Sequence, residues 1–174
     1  MKLNRDKDVL LEILPEDIDA DGRFEVPHGV LATGSNILAG DAKKQLKTIH
    51  LNDVQRIEAN SFSYCETLEE VFGQPQIIGP AAFFDCNRLR RFEFGKVQTI
   101  GGGAFYNTAF KEVDIHNILV ISNGTFERCT SLERIICSPR SVGSMAFYYC
   151  AQLKEFDFSN LQNFCYIFCS TCIV

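Results

Sequence analysis

The sequence predicts a repeat solenoid, in which short coils stack and their strands form a parallel sheet of about seven short strands. Two observations carry that fold class. The first is a column of phenylalanines, Phe62, Phe83, Phe105, Phe126 and Phe147, recurring at steps of 21, 22, 21 and 21 residues. The second is what travels with them. Ile57, Ile78, Ile100, Ile121 or Val142 stands five positions before each Phe, and Cys65, Cys86, Thr108, Cys129 or Cys150 three positions after. Leu68, Leu89, Phe110, Leu132 and Leu153 follow, and then Val71, Phe92, Val113, Ile135 and Phe156. A unit this short cannot bury its apolar face alone, but stacked copies turn each position into a continuous column.

At the N-terminus, Val9, Leu10, Ile13 and Leu14 mark one face of a short helix that Pro15 ends. This helix is expected to cap the open end of the first coil. Residues 1–23 are therefore read as a cap and 24–174 as one solenoid domain. Asp17-Ile18-Asp19-Ala20-Asp21-Gly22 matches the first half of a calcium loop, D-x-D-x-D-G, which makes Asp17, Asp19 and Asp21 candidate ligands. The twelfth position should supply a bidentate Glu but is His28, so a plain Asp/Gly turn into the first strand competes with that reading. The first coil is irregular, with Leu38 and Leu46 eight residues apart where later coils use six.

Each later copy reads I-G-x-x-A-F-x-x-C-x-x-L-x-x-V-x-I, and its last part has the period-2 ending of a short buried strand. Strands are expected near residues 24, 49, 71, 92, 113, 135 and 156. Leu161 to Cys172 repeats the spacing of Val97 to Thr108, so Cys169 takes the Phe place and Cys172 the Cys place. The chain then stops inside a repeat without a polar cap. That predicts either further residues downstream or self-association through the apolar edge.

The columns absorb what is unusual in the composition, 15 Phe with no Trp and 8 Cys in 174 residues. A buried Cys packs as a small hydrophobe with a weak donor, which suits a tight inward turn. Cys165, Cys169 and Cys172 include a C-x-x-C pair, but no nearby His completes a zinc set, so no cofactor is expected. The net charge of -5, with no run of Lys or Arg, argues against nucleic acid and anionic membranes as partners. Val9 to Leu14 is too short, and too interrupted by Glu12, for a signal peptide or a membrane span. No membrane insertion is expected, and the chain as given is expected in the cytoplasm with reduced thiols. Export to a cell surface or a host cell would need an upstream leader or a non-classical route.

The motif Ile78-Gly79-Pro80-Ala81-Ala82-Phe83-Phe84-Asp85-Cys86-Asn87-Arg88-Leu89 resembles the BspA-like leucine-rich repeat, and the likeness spans residues 24–174. The resemblance implies a right-handed leucine-rich-repeat superhelix. It also implies a non-enzymatic module that binds a partner protein on a concave sheet face. Members of that family are mostly bacterial and protist proteins, often surface-exposed or secreted, and some resemble effectors delivered into host cells. The chain departs from the pattern in three places: the missing signal peptide, a one-residue deletion at Thr108-Ala109-Phe110, and the irregular first coil.

On the concave face the middle strand positions read His50, Phe72, Glu93, Asp114, Ile136 and Asp157. The column before each inward residue reads Thr48, Glu70, Arg91, Glu112, Arg134 and Glu155, with five consecutive signs alternating. Exposed pairs in such a ladder are worth about 0–1 kcal/mol each, so its main effect is to set coil register. Phe72 and Ile136 are expected to face solvent as interface anchors. With Glu93, Asp114, Asp157, Arg91 and Arg134 they form the candidate partner surface, suited to a protein offering apolar knobs ringed by Lys or Arg. Two other readings compete. One is a structural spacer, or a fragment of a longer repeat protein. The other is a hydrolase using Asp114, His116 and Ser138, against which stand the open strand face and the lack of a glycine-framed turn or oxyanion donors.

Overall fold

A computed structural model describes residues 1–157 and 159–164. The chain winds into a solenoid of about six stacked turns with parallel sheets. Its strands in chain order begin with β1 (Lys2–Leu3), β2 (Val9–Glu12), β3 (Arg23–Glu25), β4 (Ala32–Thr33) and β5 (Thr48–His50). Then come β6 (Arg56–Ile57), β7 (Glu70–Phe72), β8 (Ile77–Ile78), β9 (Arg91–Phe92) and β10 (Thr99–Ile100). The last are β11 (Glu112–Asp114), β12 (Val120–Ile121), β13 (Arg134–Ile136), β14 (Ser141–Val142) and β15 (Asn163–Phe164). A short 3-10 turn at Gly40–Lys44 takes up the extra residues of the irregular first coil, and another at Pro15–Asp17 precedes β3.

The expected strand column is present as β3-β5-β7-β9 and β11-β13, paired in parallel. Its seventh member is reduced to a single bridge between Arg134 and Glu155. A second sheet, not foreseen in the repeat pattern, runs through the Ile column as β1-β2-β4-β6-β8-β10 and β12-β14-β15. The glycine after that Ile lets adjacent coils approach closely. A Cβ on Gly101 would lie 2.4 Å from the Pro80 nitrogen, and one on Gly79 would lie 2.6 Å from the Ala59 nitrogen. The third side of each coil is made of turns, yet it too is laddered. Ala81 N–H donates to Gly102 O (3.0 Å), Phe83 N–H to Ala104 O (2.8 Å) and Asp85 N–H to Tyr106 O (2.9 Å).

The expected N-terminal capping helix is not formed, and no α-helix occurs among the described residues. Val9–Glu12 is strand β2, antiparallel to β1 and parallel to β4, with Leu10 and Ile13 fully buried and Leu11 exposed. A four-residue apolar patch is too short to sustain a helix, whereas the open edge of β4 offers pairing partners at once. Asn4 shapes the hairpin, its Oδ1 accepting the N–H groups of Asp8 (3.1 Å) and Val9 (3.0 Å).

Inside, the rings of the phenylalanine column stack face to face along the solenoid axis. Centroid separations are 5.2 Å for Phe62–Phe83, 5.4 Å for Phe83–Phe105, 5.7 Å for Phe105–Phe126 and 5.8 Å for Phe126–Phe147, with planes within 7°. The cysteine column has a polar task besides packing. Cys86, Cys129 and Cys150 each donate S–H to the carbonyl of the Phe in the preceding coil, at 3.1, 3.1 and 3.0 Å. A small side chain with a weak donor is what that tight inward turn accommodates.

Among the described residues the parallel ladder breaks once on each sheet, between β9 and β11 and between β10 and β12. The shortened link at Thr108-Ala109-Phe110 lies at this step. Here Phe94 takes the place of Gly73, Ile115 and Cys137, and Phe110 that of Leu68, Leu89 and Leu132. The two rings meet at 5.7 Å and 70°, and each also packs edge-on against Phe105. This bulk overfills the coil and holds the strand rows apart. On the second sheet the Ser122 hydroxyl spans the opening, donating to Ile100 O at 2.8 Å. In the intact steps a glycine N–H does that work, Gly79 to Ile57 O (2.7 Å), Gly101 to Ile78 O and Gly143 to Ile121 O (both 2.8 Å). The turn side stays continuous across the break, with Phe105 N–H to Thr125 O (3.0 Å) and Asn107 N–H to Glu127 O (2.8 Å).

Candidate partner-binding face

The register of β5 on β7 sets His50 beside Phe72, and that of β11 on β13 sets Asp114 beside Ile136. Phe72 and Ile136 are half-buried rather than facing open solvent as the strand alternation implied. The reason for Phe72 is lateral. The His50 ring stacks on it at 4.8 Å and 18°, and the Arg91 guanidinium lies over it at 4.7 Å. Such a stacked cation contributes on the order of 0.5–1 kcal/mol at an exposed site.

The alternating charge column is only half realised as ion pairs. Arg134 bridges Glu112 (3.7 Å) and Glu155 (3.1 Å), while Arg91 is diverted onto Phe72 and makes no ion pair among the described residues. One position before that column, Arg90 pairs with Glu69 at 2.6 Å, across the same step as Glu70 and Arg91. Glu93 is half-buried, and its Oε2 accepts the Gly73 N–H at 3.1 Å.

Asp114 and His116 do come together, with Nδ1 of the imidazole 2.7 Å from Asp114 Oδ1. That hydrogen bond is the main reason the Asp114 carboxyl is held below its usual range. Ser138 is not part of the pair, because its hydroxyl donates to Asp157 Oδ2 at 3.0 Å. Asp157 is held below the usual range chiefly by the Ser159 N–H and hydroxyl, and then by Ser138. Asp, His and Ser thus form two separate exposed pairs, with no hydroxyl bonded to the imidazole among the described residues.

Two of the three aspartates of the calcium reading, Asp17 and Asp19, bond to the local backbone. Asp17 accepts the Leu14 N–H at 2.7 Å and contacts the N-terminal ammonium. Burial works to raise the Asp17 pKa, but these two donors outweigh it and leave the group below its usual value. Asp19 Oδ1 accepts from the N–H groups of Asp21 (2.9 Å) and Arg23 (2.8 Å), closing the turn into β3. Among the described residues no three His, Cys, Asp or Glu converge, and no helix is long and apolar enough to cross a membrane. The C-x-x-C pair with Cys165, and the C-terminal apolar edge, lie outside the described residues.

Two shallow clefts open on this face. One, of about 480 Å³, is lined among others by His50, Asn52, Phe72, Gln74, Glu93 and Lys96. The other, of about 320 Å³, lies at the break between β9 and β11 and is lined by Phe92, Phe94, Gly95, Glu112, Asp114 and His116. Reading the strand positions as a regular ladder missed this second cleft and the part played by Phe94. Its signal in the sequence was the one-residue deletion, together with two rings where neighbouring coils carry smaller side chains.

Comparison with known proteins agrees with the coil geometry. The family model for the BspA type leucine rich repeat region matches in six copies over residues 23–78 and 55–173. Among solved structures, a leucine rich repeat protein of T. pallidum superposes with a TM-score of 0.69 at 24% identity, covering 88% of this chain and 87% of that one. A leucine-rich repeat protein from Bacteroides ovatus gives 0.66 at 27% identity, over 76% of this chain and 36% of that one. A leucine rich cell surface protein from Faecalibacterium prausnitzii gives 0.65 at 19% identity, over 88% and 51%. No curated protein matches. With repeats matched along nearly the whole chain and the coils stacked as that pattern requires, this chain belongs to the BspA-type leucine-rich repeat family.

Proposed function

We propose that the protein is a non-enzymatic binding module that engages a partner protein on its concave sheet face, the face built by β3 to β13. The observation that carries this reading is the mixture on that face. Phe72 lies under the Arg91 guanidinium, Ile136, on the strand that also carries Arg134, sits beside Asp114, and Glu93 and Asp157 take the matching positions of other coils. Interfaces use such apolar anchors within a polar rim, with aromatic and Arg residues over-represented among the energetic centres. The fitting partner offers apolar side chains ringed by Lys or Arg. A cell-surface or host-directed setting extends the same reading, since one structural neighbour is a leucine rich cell surface protein.

The test is affinity capture with wild type and a Phe72→Ala/Ile136→Ala double variant, each checked for an unchanged circular dichroism spectrum. Loss of two anchors should weaken partner capture by about 30- to 800-fold, at roughly 1–2 kcal/mol each. Equal recovery of the same partners by both proteins would overturn the assignment of this face.

A further inference from the structure

We propose that the cleft between β9 and β11 seats an arginine side chain of the partner protein. This rests on the reading of the sheet face as a protein-binding surface and names the group that the partner inserts.

The cleft exists because the backbone ladder fails there. The carbonyls of Lys47, Glu69 and Lys111 each accept two N–H groups from the next coil, as in Arg90 N and Arg91 N to Glu69 O at 3.0 and 3.3 Å. The carbonyl of Arg90 stands at the same place in its coil and accepts none among the described residues. Instead the chain slips, and Ala109 N–H reaches Leu89 O at 2.9 Å.

The floor of the cleft is aromatic. Phe92 and Phe94 lie 4.8 Å apart at 47°, and Phe94 keeps part of its ring exposed. The rim is formed by Glu112, Asp114 and His116, and the neighbouring guanidinium groups are committed elsewhere. Asp114 presents Oδ1 to His116 and leaves Oδ2 without a partner among the described residues. Glu112 holds only a 3.7 Å contact with Arg134, which is nearer to Glu155, and Arg91 is stacked on Phe72. Across this half of the face, five carboxylates (Glu93, Glu112, Asp114, Glu155 and Asp157) stand against two guanidinium groups (Arg91 and Arg134), leaving three negative charges in excess.

An aromatic floor beneath an acidic rim selects the shape of the cation as well as its sign. A guanidinium is planar and weakly hydrated. It stacks on a ring while its fork of N–H donors reaches carboxylate and carbonyl oxygens together. An ammonium is a compact, strongly hydrated point charge and gains less from the floor. At about 320 Å³ the cleft lies at the small end of ligand pockets, which suits one side chain.

The experiment needs no identified partner. The isotope-labelled full chain is titrated with L-argininamide, and with lysinamide and glycinamide as controls, following backbone amide shifts. Argininamide should give saturable shifts centred on Phe94, Gly95, Glu112 and Asp114, and should bind at least about five-fold more tightly than lysinamide. Glycinamide should give no saturable shift. Asp114→Asn and Glu112→Gln, both at exposed positions, should each weaken argininamide by about five-fold, with spectral changes in the free protein confined to the substituted residue and its partners His116 or Arg134. Absence of saturable shifts at the cleft, equal binding of all three amides, or indifference to both substitutions would each overturn the proposal. Phe72 and Ile136 do not line this cleft. A failed capture experiment and a failed titration are therefore separate results.

Discussion

Removing the ring at the centre of the aromatic stack should do more than lower stability, because of where that ring sits. Phe105 is fully buried, lies between Phe83 and Phe126 at 5.4 and 5.7 Å, and meets Phe92, Phe94 and Phe110 edge-on. Truncating a buried Phe to Ala costs roughly 3–5 kcal/mol, and Leu retains about half of the lost apolar contact. Ring–ring contacts are worth about 0.5–1.5 kcal/mol per pair beyond area and do not add fully, so Phe105→Leu should cost about 3 kcal/mol. For a chain of this size that lowers the melting temperature by roughly 6–12 °C. The larger consequence concerns cooperativity. In a solenoid the coils are coupled only through neighbouring interfaces. At the Phe105 level both sheets are open, so the two halves are coupled by the aromatic contacts, the turn-side ladder and the isolated bonds of Ser122 to Ile100 O and Ala109 to Leu89 O. Phe105→Leu is therefore expected to split unfolding into two transitions, with a calorimetric enthalpy exceeding the van't Hoff value. Phe62→Leu, at a level where β7 pairs with β5 and with β9, should lower stability by about 2 kcal/mol and stay two-state. Differential scanning calorimetry on both variants makes the comparison, and matching single transitions for the two would refute the coupling argument.

The buried thiols predict a loss of stability in alkali. Burial pushes Cys65 up to about 12, Cys129 to about 11 and Cys137 to about 12, and Cys86 well above its ordinary value. The unfolded chain loses these protons from about pH 8.5 while the folded chain keeps them, so stability falls from there towards pH 11–12. Each thiol contributes a slope of at most about 1.4 kcal/mol per pH unit, and urea midpoints that stay level from pH 8 to 10 would contradict this. Met145 is half exposed with a left-handed backbone at φ 59°, the place in its coil that Asn60 takes with φ 58° and Gly124 with φ 62°. Met145→Asn relieves a conformation that costs a bulky residue about 1 kcal/mol, and a melting temperature below wild type would count against that account.

Legibility in the sequence followed how many copies voted on each feature. Five aligned coils made the Phe and Cys columns plain, and the stacked rings and the thiol-to-carbonyl bonds are their physical content. The β3 to β13 column was equally readable from its L-x-x-V-x-I ending. The second sheet was not, because a two-residue strand such as Ile77–Ile78 has no period of its own to detect. Val9–Glu12 was misassigned for a related reason. Its apolar spacing fits a helix face, and only the free edge of β4 converts it to strand. On the candidate face, the residues could be placed in columns, but whether a column forms ion pairs depended on what lay beside it. Arg91 had Phe72 within reach and took the ring instead of a carboxylate.

The sequence alone determined the repeat, its register and the identity of every column, since a stacked periodic chain gives each position the same kind of neighbour. Tertiary structure alone decided where that periodicity fails. The deletion at Thr108-Ala109-Phe110 was visible as a missing residue, but its effect depends on Phe94 and Phe110 meeting from different coils. Ladder hydrogen bonds tolerate little displacement and ring volumes cannot be compressed, so the strands separate there and a cleft opens on the face that holds Phe72 and Ile136.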